Sequence, residues 1–239
     1  MINKKYTGLI LLILFTISSL LNAKPISTEN LCENDDFYLS ANTLTSVSIT
    51  LKVYKHFCFK DAHGKYVLYL SERPDKKFKD DTLSTKIQAH TFLLESNRMI
   101  AMQSISDFPN QEEAGVEFLS GLTELSDIDS DGYADPIIVY RFFNMDAGEP
   151  VDDSFQGRIK IIMFHNGKKI VVRAKTGELD HERASVANEE FFKSPISIQN
   201  HLVKKMMDMY DANEFGFDNS FNFKPQKEKN NIKQPNKKH

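Results

Sequence analysis

The dipeptide Asn166-Gly167, set between apolar runs at residues 158–165 and 168–174, limits the possible folds of this chain more than any other feature. Asn and Gly both tolerate positive φ, which a type I′ turn needs at its two central positions and which suits the twist of the flanking strands. A β-hairpin is expected there, with residues 136–143 as a further strand. Upstream, Val47, Ile49, Leu51 and Val53 alternate with more polar neighbours, the period-two pattern of a half-buried strand. Residues 61–64 read as a turn before a short strand at 66–70. Two more strand-like runs, 86–94 and 99–105, flank a polar loop. The segment 143–158, with Gly148, Pro150 and several carboxylates, reads as a long exposed loop. Then the period changes, because Ile198, Leu202, Met206 and Met209 or Tyr210 recur at helical spacing after a start signal at Ser194-Pro195 or Ser197. The expected class is α+β and β-rich: antiparallel hairpins or a meander with a C-terminal amphipathic helix. No internal repeat is present, which argues against a propeller or solenoid.

The first 23 residues read as a removable signal peptide, with Lys4 and Lys5 preceding an apolar run at 9–15 that continues through Ile17, Leu20 and Leu21. Leu21-Asn22-Ala23 offers a cleavage site, after which the chain turns polar at Lys24. The run is shorter than the ~20 residues that span a bilayer, so the mature chain is expected to have no transmembrane span. This predicts a periplasmic or secreted protein with one β-rich domain at 24–223. Residues 224–239 carry six Lys, one Glu and almost no apolar residue, the composition of a disordered basic tail. The formal net charge is −3, and removing Lys4 and Lys5 makes it more acidic, so nucleic acid is not an expected partner. In an oxidising compartment Cys32 and Cys58 are expected to form a disulfide contributing ~3 kcal/mol.

One motif carries recognisable chemistry. Asp127, Asp129, Asp131 and Asp135 form DxDxDGxxD, with Gly132 at the sharp turn and Tyr133 at position seven. Carboxylates at alternate positions can converge on one hard cation when the chain wraps around it, and the Tyr133 carbonyl would add a further oxygen. Calcium is the expected ion, in a structural role. An EF-hand would need a Glu at position twelve and a following helix, but Ile138 and a strand stand there. The loop instead resembles the shorter calcium loops of FG-GAP-type repeats, in which DxDxDGxxD precedes a strand. The wider segment LTELSDIDSDGYADPIIVYRF with RIKIIMFHNGKKIVVRAKTG is similar to a bacterial exported family described as surface polysaccharide biosynthesis proteins. Upstream, VYKHF, DAHGKYVLYLSE and MQSISDF resemble that family's strands in the same order. The resemblance implies a setting near the cell surface, with a surface polysaccharide or an envelope protein as partner, and implies no catalytic residues.

The expected role is a non-enzymatic binding or assembly factor. The alternative is an envelope glycan hydrolase using Asp146, Glu149, Asp152 and Asp153, since such enzymes place two carboxylates across a sugar bond. His56, His63, His90 and His165 are scattered without metal-ligand spacing and read as ordinary strand or turn residues. No G-x-S-x-G elbow, phosphate loop or dinucleotide fingerprint is present.

Overall fold

The computed structural model describes residues 24–25, 32, 35–79, 81–96, 98–151, 153, 155–215, 217 and 222–229. The expected signal peptide lies outside them. In chain order the elements are β1 (Lys24–Pro25), α1 (Asp35–Leu39), α2 (Ala41–Ser46), β2 (Lys52–Lys60), β3 (Lys65–Lys77), β4 (Thr82–Glu95), β5 (Arg98–Asp107), β6 (Glu113–Phe118), β7 (Ser126–Asp127), β8 (Ile137–Asp146), β9 (Glu149–Pro150), β10 (Gly157–His165), β11 (Lys168–Thr176), β12 (Ala184–Ala187), α3 (Glu189–Lys193), α4 (Ile196–Asp211) and β13 (Gln226–Lys227). The fold is α+β and strand-rich, 49% strand and 20% helix, with a helix near the C-terminus.

The main sheet runs β13-β12-β11-β10-β8-β6-β4-β3-β2, with β5 added to β4 and β9 to β8. Its named pairs are antiparallel except β12 with β13. Asn166 and Gly167 have φ of 46° and 71°, and β10 and β11 pair in continuous register from that turn. Two halves of the sheet, β2–β5 and β6 with β8–β13, meet at a narrow neck where Ser84 of β4 stands opposite Val116 of β6. There Glu72 reaches across from β3. Its carboxylate accepts the Phe118 N–H at 2.9 Å and the Ser84 hydroxyl at 3.2 Å.

Both faces of the central strands are buried, which is why they read as near-continuous apolar runs. On β8, Ile137 and Val139 face the core under α3 and α4, while Ile138, Tyr140 and Phe142 face a second core. α4 supplies Ile198, Leu202, Met206 and Met209 to the first, at the expected helical spacing. The second core also receives Tyr66, Leu68 and Leu70 from β3 and Ile105 from β5. Among the described residues no helix contributes to it. The sheet covers this face by curling, so that β5 looks across at β8 and β10: the Tyr140 hydroxyl donates to Asp107 at 2.9 Å, and Lys160 pairs with the same carboxylate. On the outside of β2–β4, Val67, Tyr69 and Phe92 pack with Leu44, Val47 and Ile49, beside the Cys32–Cys58 disulfide.

Three expectations are corrected. The apolar alternation at 47–53 is not a strand. Ser40 caps α2 by accepting the Thr43 N–H, Val47 ends that helix, Ser48 turns at φ 60°, and β2 begins only at Lys52. Leu44, Val47 and Ile49 still reach one core, but from a helix and a turn. The long loop at 143–158 is shorter than expected, because β8 runs on to Asp146 and Ala147-Gly148, at φ 48° and 88°, turn it directly into β9. Lastly, residues 224–229 do not fit the disordered tail drawn from Lys224 onward. β13 pairs with β12, the Glu228 N–H donates to the Ala187 carbonyl, and the Glu228 carboxylate pairs with Arg173 at 2.9 Å. A free sheet edge holds this short segment where its composition alone would not.

Candidate metal centre

The acidic loop is closed at its base by backbone. Glu124 and Ile137 exchange N–H···O bonds of 3.0 and 2.8 Å, and the Asp135 N–H donates to the Ser126 carbonyl at 2.6 Å. β7, at the start of the loop, pairs with β1, placing Lys24 opposite Asp127. Within the loop Ser130 and Gly132 take positive φ, 63° and 92°. That reversal folds the chain back over its own carboxylates. Asp127 accepts N–H groups from Asp131 and Gly132 at 3.0 and 2.9 Å, and Asp131 accepts the Tyr133 N–H at 2.8 Å. The β2–β3 turn braces the outside: the Ala62 N–H donates to the Gly132 carbonyl, and Asp61 accepts the Ala134 N–H at 3.1 Å.

The motif residues do not all do the same work. Ligand atoms of Asp127, Asp129 and Asp131 lie within 4.8 Å of one another, and so do those of Asp129, Asp135 and His165. Asp129 is common to both groups. Asp135, 1% exposed, faces inward, where one oxygen accepts the Ile128 N–H at 2.9 Å and the other meets His165 Nδ1 at 2.8 Å. His165 Nε2 then lies 3.8 Å from an Asp129 oxygen. The hydrogen bond with Asp135 raises the His165 pKa against the opposing effect of burial, helped by the charges of Asp135, Asp129 and Asp131. Burial first, then Asp131 and Asp135, raises the Asp129 carboxyl pKa, with His165 opposing.

These groups can hold a metal ion. One atom speaks to the fit, since Asp129 Oδ1 is buried and has no hydrogen-bond partner among the described residues. A buried carboxylate oxygen without a donor is expensive unless a cation faces it. His165 was the residue sequence reasoning missed. It sits at the end of β10, thirty positions from Asp135, and the β8–β10 ladder, with Met163 opposite Ile137, brings it beside the loop. Its place immediately before the Asn-Gly turn, on the strand adjoining β8, was the available signal.

Tyr133 is 37% exposed, and its ring lies 4.7 Å from that of His63. The carboxylates of the alternative reading lie elsewhere. Asp146 and Glu149 are cross-strand partners on an exposed hairpin, Asp153 accepts the Phe155 N–H at 2.8 Å, and Asp152 is outside the described residues. His90 is half-buried on β4, and its burial lowers its pKa. Among the described residues no helix is long and apolar enough to cross a membrane. Compared with protein-family models, curated proteins and solved structures, the chain matches none.

Proposed function

We propose that this is an exported calcium-binding protein that acts as a non-enzymatic binding or assembly factor at the cell-surface polysaccharide, with a polysaccharide or an envelope protein as its partner. The observation that carries the calcium reading is the grouping of Asp127, Asp129 and Asp131, with ligand atoms within 4.8 Å of one another, together with an Asp129 oxygen that has no hydrogen-bond partner among the described residues. An oxygen-only donor set of carboxylates suits a hard cation, and a loop of flexible geometry suits calcium over magnesium, which demands a near-ideal octahedron. In this reading the Tyr133 carbonyl and Asp135 complete the protein's share, Asp135 directly or through water. The ion would tie the loop to the end of β10 at His165. The setting in the envelope rests on the signal-peptide pattern of residues 1–23 and on the resemblance of the strand motifs to exported surface-polysaccharide proteins.

The test is a thermal melt in millimolar calcium and in EDTA, with calorimetry alongside. An ion that binds the folded loop adds about 2.7 kcal/mol at a hundredfold excess over its Kd. Asp129→Ala should abolish the shift and Asp153→Ala should leave it. Equal melting temperatures in both buffers, with no heat of binding, would overturn the calcium assignment. N-terminal sequencing of the exported protein tests the setting, and a mature chain retaining residues 9–21 would refute cleavage.

A further inference from the structure

We infer that the cleft beside the acidic loop binds a neutral saccharide ring. The cleft has a volume of about 350 Å³ and opens where the curled sheet brings β5 towards the loop and the β10–β11 turn. Phe59 and Tyr66 form its floor, with rings stacked 5.0 Å apart and 11° from parallel. Thr91, Gln103, Tyr133 and Asn166 also line it.

The ligand class follows from what this lining can and cannot satisfy. Among the described residues no Lys or Arg lines the cleft, so an anion would lose its hydration without gaining a counter-charge there. The lining carboxylate, Asp61, is already committed. Both of its oxygens accept N–H groups, from His63, Gly64 and Ala134, and a single carboxylate is a poor site for a cation that takes about six to eight oxygens. Burial, and then Asp61, push the Tyr66 pKa up to about 12, which keeps that phenol a proton donor. A hydrocarbon would strand the Gln103 amide and the Thr91 hydroxyl, neither of which has a side-chain hydrogen bond among the described residues. What remains is a ligand with hydroxyls at its edge and an apolar C–H face. A sugar ring has both, and the part-exposed Tyr133 ring with the uncharged amides of Gln103 and Asn166 matches it. The volume lies at the small end of ligand pockets, roughly 300–1,000 Å³, and admits a short saccharide.

This deepens the proposed function and rests on it in one respect: Tyr133 stands at position seven of the acidic loop, so a held loop presents its ring. The experiment titrates the purified protein with galactose, N-acetylglucosamine and cellobiose, with glucuronate and glucosamine as charged controls, in calcium and in EDTA. Saturation-transfer NMR and calorimetry are the readouts. At least one neutral sugar should bind at millimolar concentration, and Tyr133→Ala and Gln103→Ala should each weaken it about tenfold, the scale of one aromatic or amide contact. Gln103→Ala leaves the loop untouched and should melt like wild type. Binding of none of the three sugars, equal binding of a charged control, or unchanged affinity in both variants overturns the inference. The two readings fail separately. A calcium-dependent melt without sugar binding sinks the cleft alone, whereas sugar binding without a calcium shift upholds the cleft and sinks the calcium loop.

Discussion

Asp135→Ala should be the most damaging change in the acidic motif, and it should be so without any metal. In EDTA the wild-type carboxylate satisfies two buried groups, the Ile128 N–H at 2.9 Å and His165 Nδ1 at 2.8 Å. Alanine leaves both unpaired in a site 1% exposed. Removing one partner of a buried pair costs about 3–5 kcal/mol. For a chain of this size, 4 kcal/mol is on the order of 10 °C in Tm. Asp135→Asn keeps an acceptor for Ile128 but turns an NH2 towards His165 Nδ1, which can hold the contact only as the acceptor tautomer, so about 1–2 kcal/mol is expected. Asp127→Ala gives up two N–H bonds at a half-exposed position and should cost about 1–2 kcal/mol. Asp129→Asn should be neutral or stabilising in EDTA. Its Oδ1 has no bond to lose, and its raised pKa means that at neutral pH the folded state holds that charge unwillingly. Denaturant unfolding of the four variants in EDTA gives the ranking. If Asp129→Asn is as destabilising as Asp135→Ala, or if Asp135→Ala falls below about 1 kcal/mol, the division of labour drawn from these contacts is wrong.

Further outcomes follow from the same contacts. Replacing Cys32 and Cys58 together by Ser should lower stability by about 2–4 kcal/mol, and non-reducing peptide mapping of the wild type should recover one cross-linked pair. Burial alone would raise the Glu124 pKa, but hydrogen bonds with His201 and Ser126 and the charges of His201 and Lys205 outweigh it and hold the pKa at about 2. A depressed folded pKa stabilises above the unfolded value of 4.5 and loses that contribution as pH falls towards about 2. Glu124→Gln should therefore flatten this acid limb by on the order of 1 kcal/mol after solvent screening, and an identical limb in the variant would refute the pairing. Gly157 has φ of 117°, and a Cβ there would lie 2.5 Å from the Phe142 carbonyl oxygen. Gly157→Ala should cost roughly 2 kcal/mol or more by chemical denaturation, and a neutral result would count against the β8–β10 geometry.

The parts of the fold legible in the sequence were those whose signal is local. The Asn166-Gly167 turn needs two positive φ values, and α4 repeats its buried residues along one stripe. β8 and β10 declare themselves because both of their faces are buried. Residues 47–53 misled because period two records which residues are buried, and a capped helix followed by a turn at Ser48 buries Leu44, Val47 and Ile49 just as a strand would. β6 escaped notice, since Glu113 and Gly115 interrupt its apolar pattern. The first is buried against Arg158 and the second lies where a Cβ would meet Leu83 at 2.4 Å. In the acidic loop the spacing of the carboxylates was visible, but their unequal engagement was not. That depends on His165, which reaches Asp135 only through tertiary structure.

The neck at Ser84 and Val116 bears on the order in which the chain assembles. On either side of it the strand pairs β2–β3, β3–β4, β4–β5 and β10–β11 are hairpins between sequence neighbours, with little loop entropy to overcome. Joining the halves is a different matter, because Glu72 must find Phe118 across 46 positions of sequence. Formation of the two half-sheets should therefore precede their docking, with the neck closing after the rate-limiting step. A substitution such as Glu72→Ala, which removes both acceptors, would then accelerate unfolding while leaving the refolding rate nearly unchanged in stopped-flow chevrons. Slowed refolding would instead put the neck in the nucleus. The element that makes the two halves one sheet would thus also set how long the finished protein stays folded.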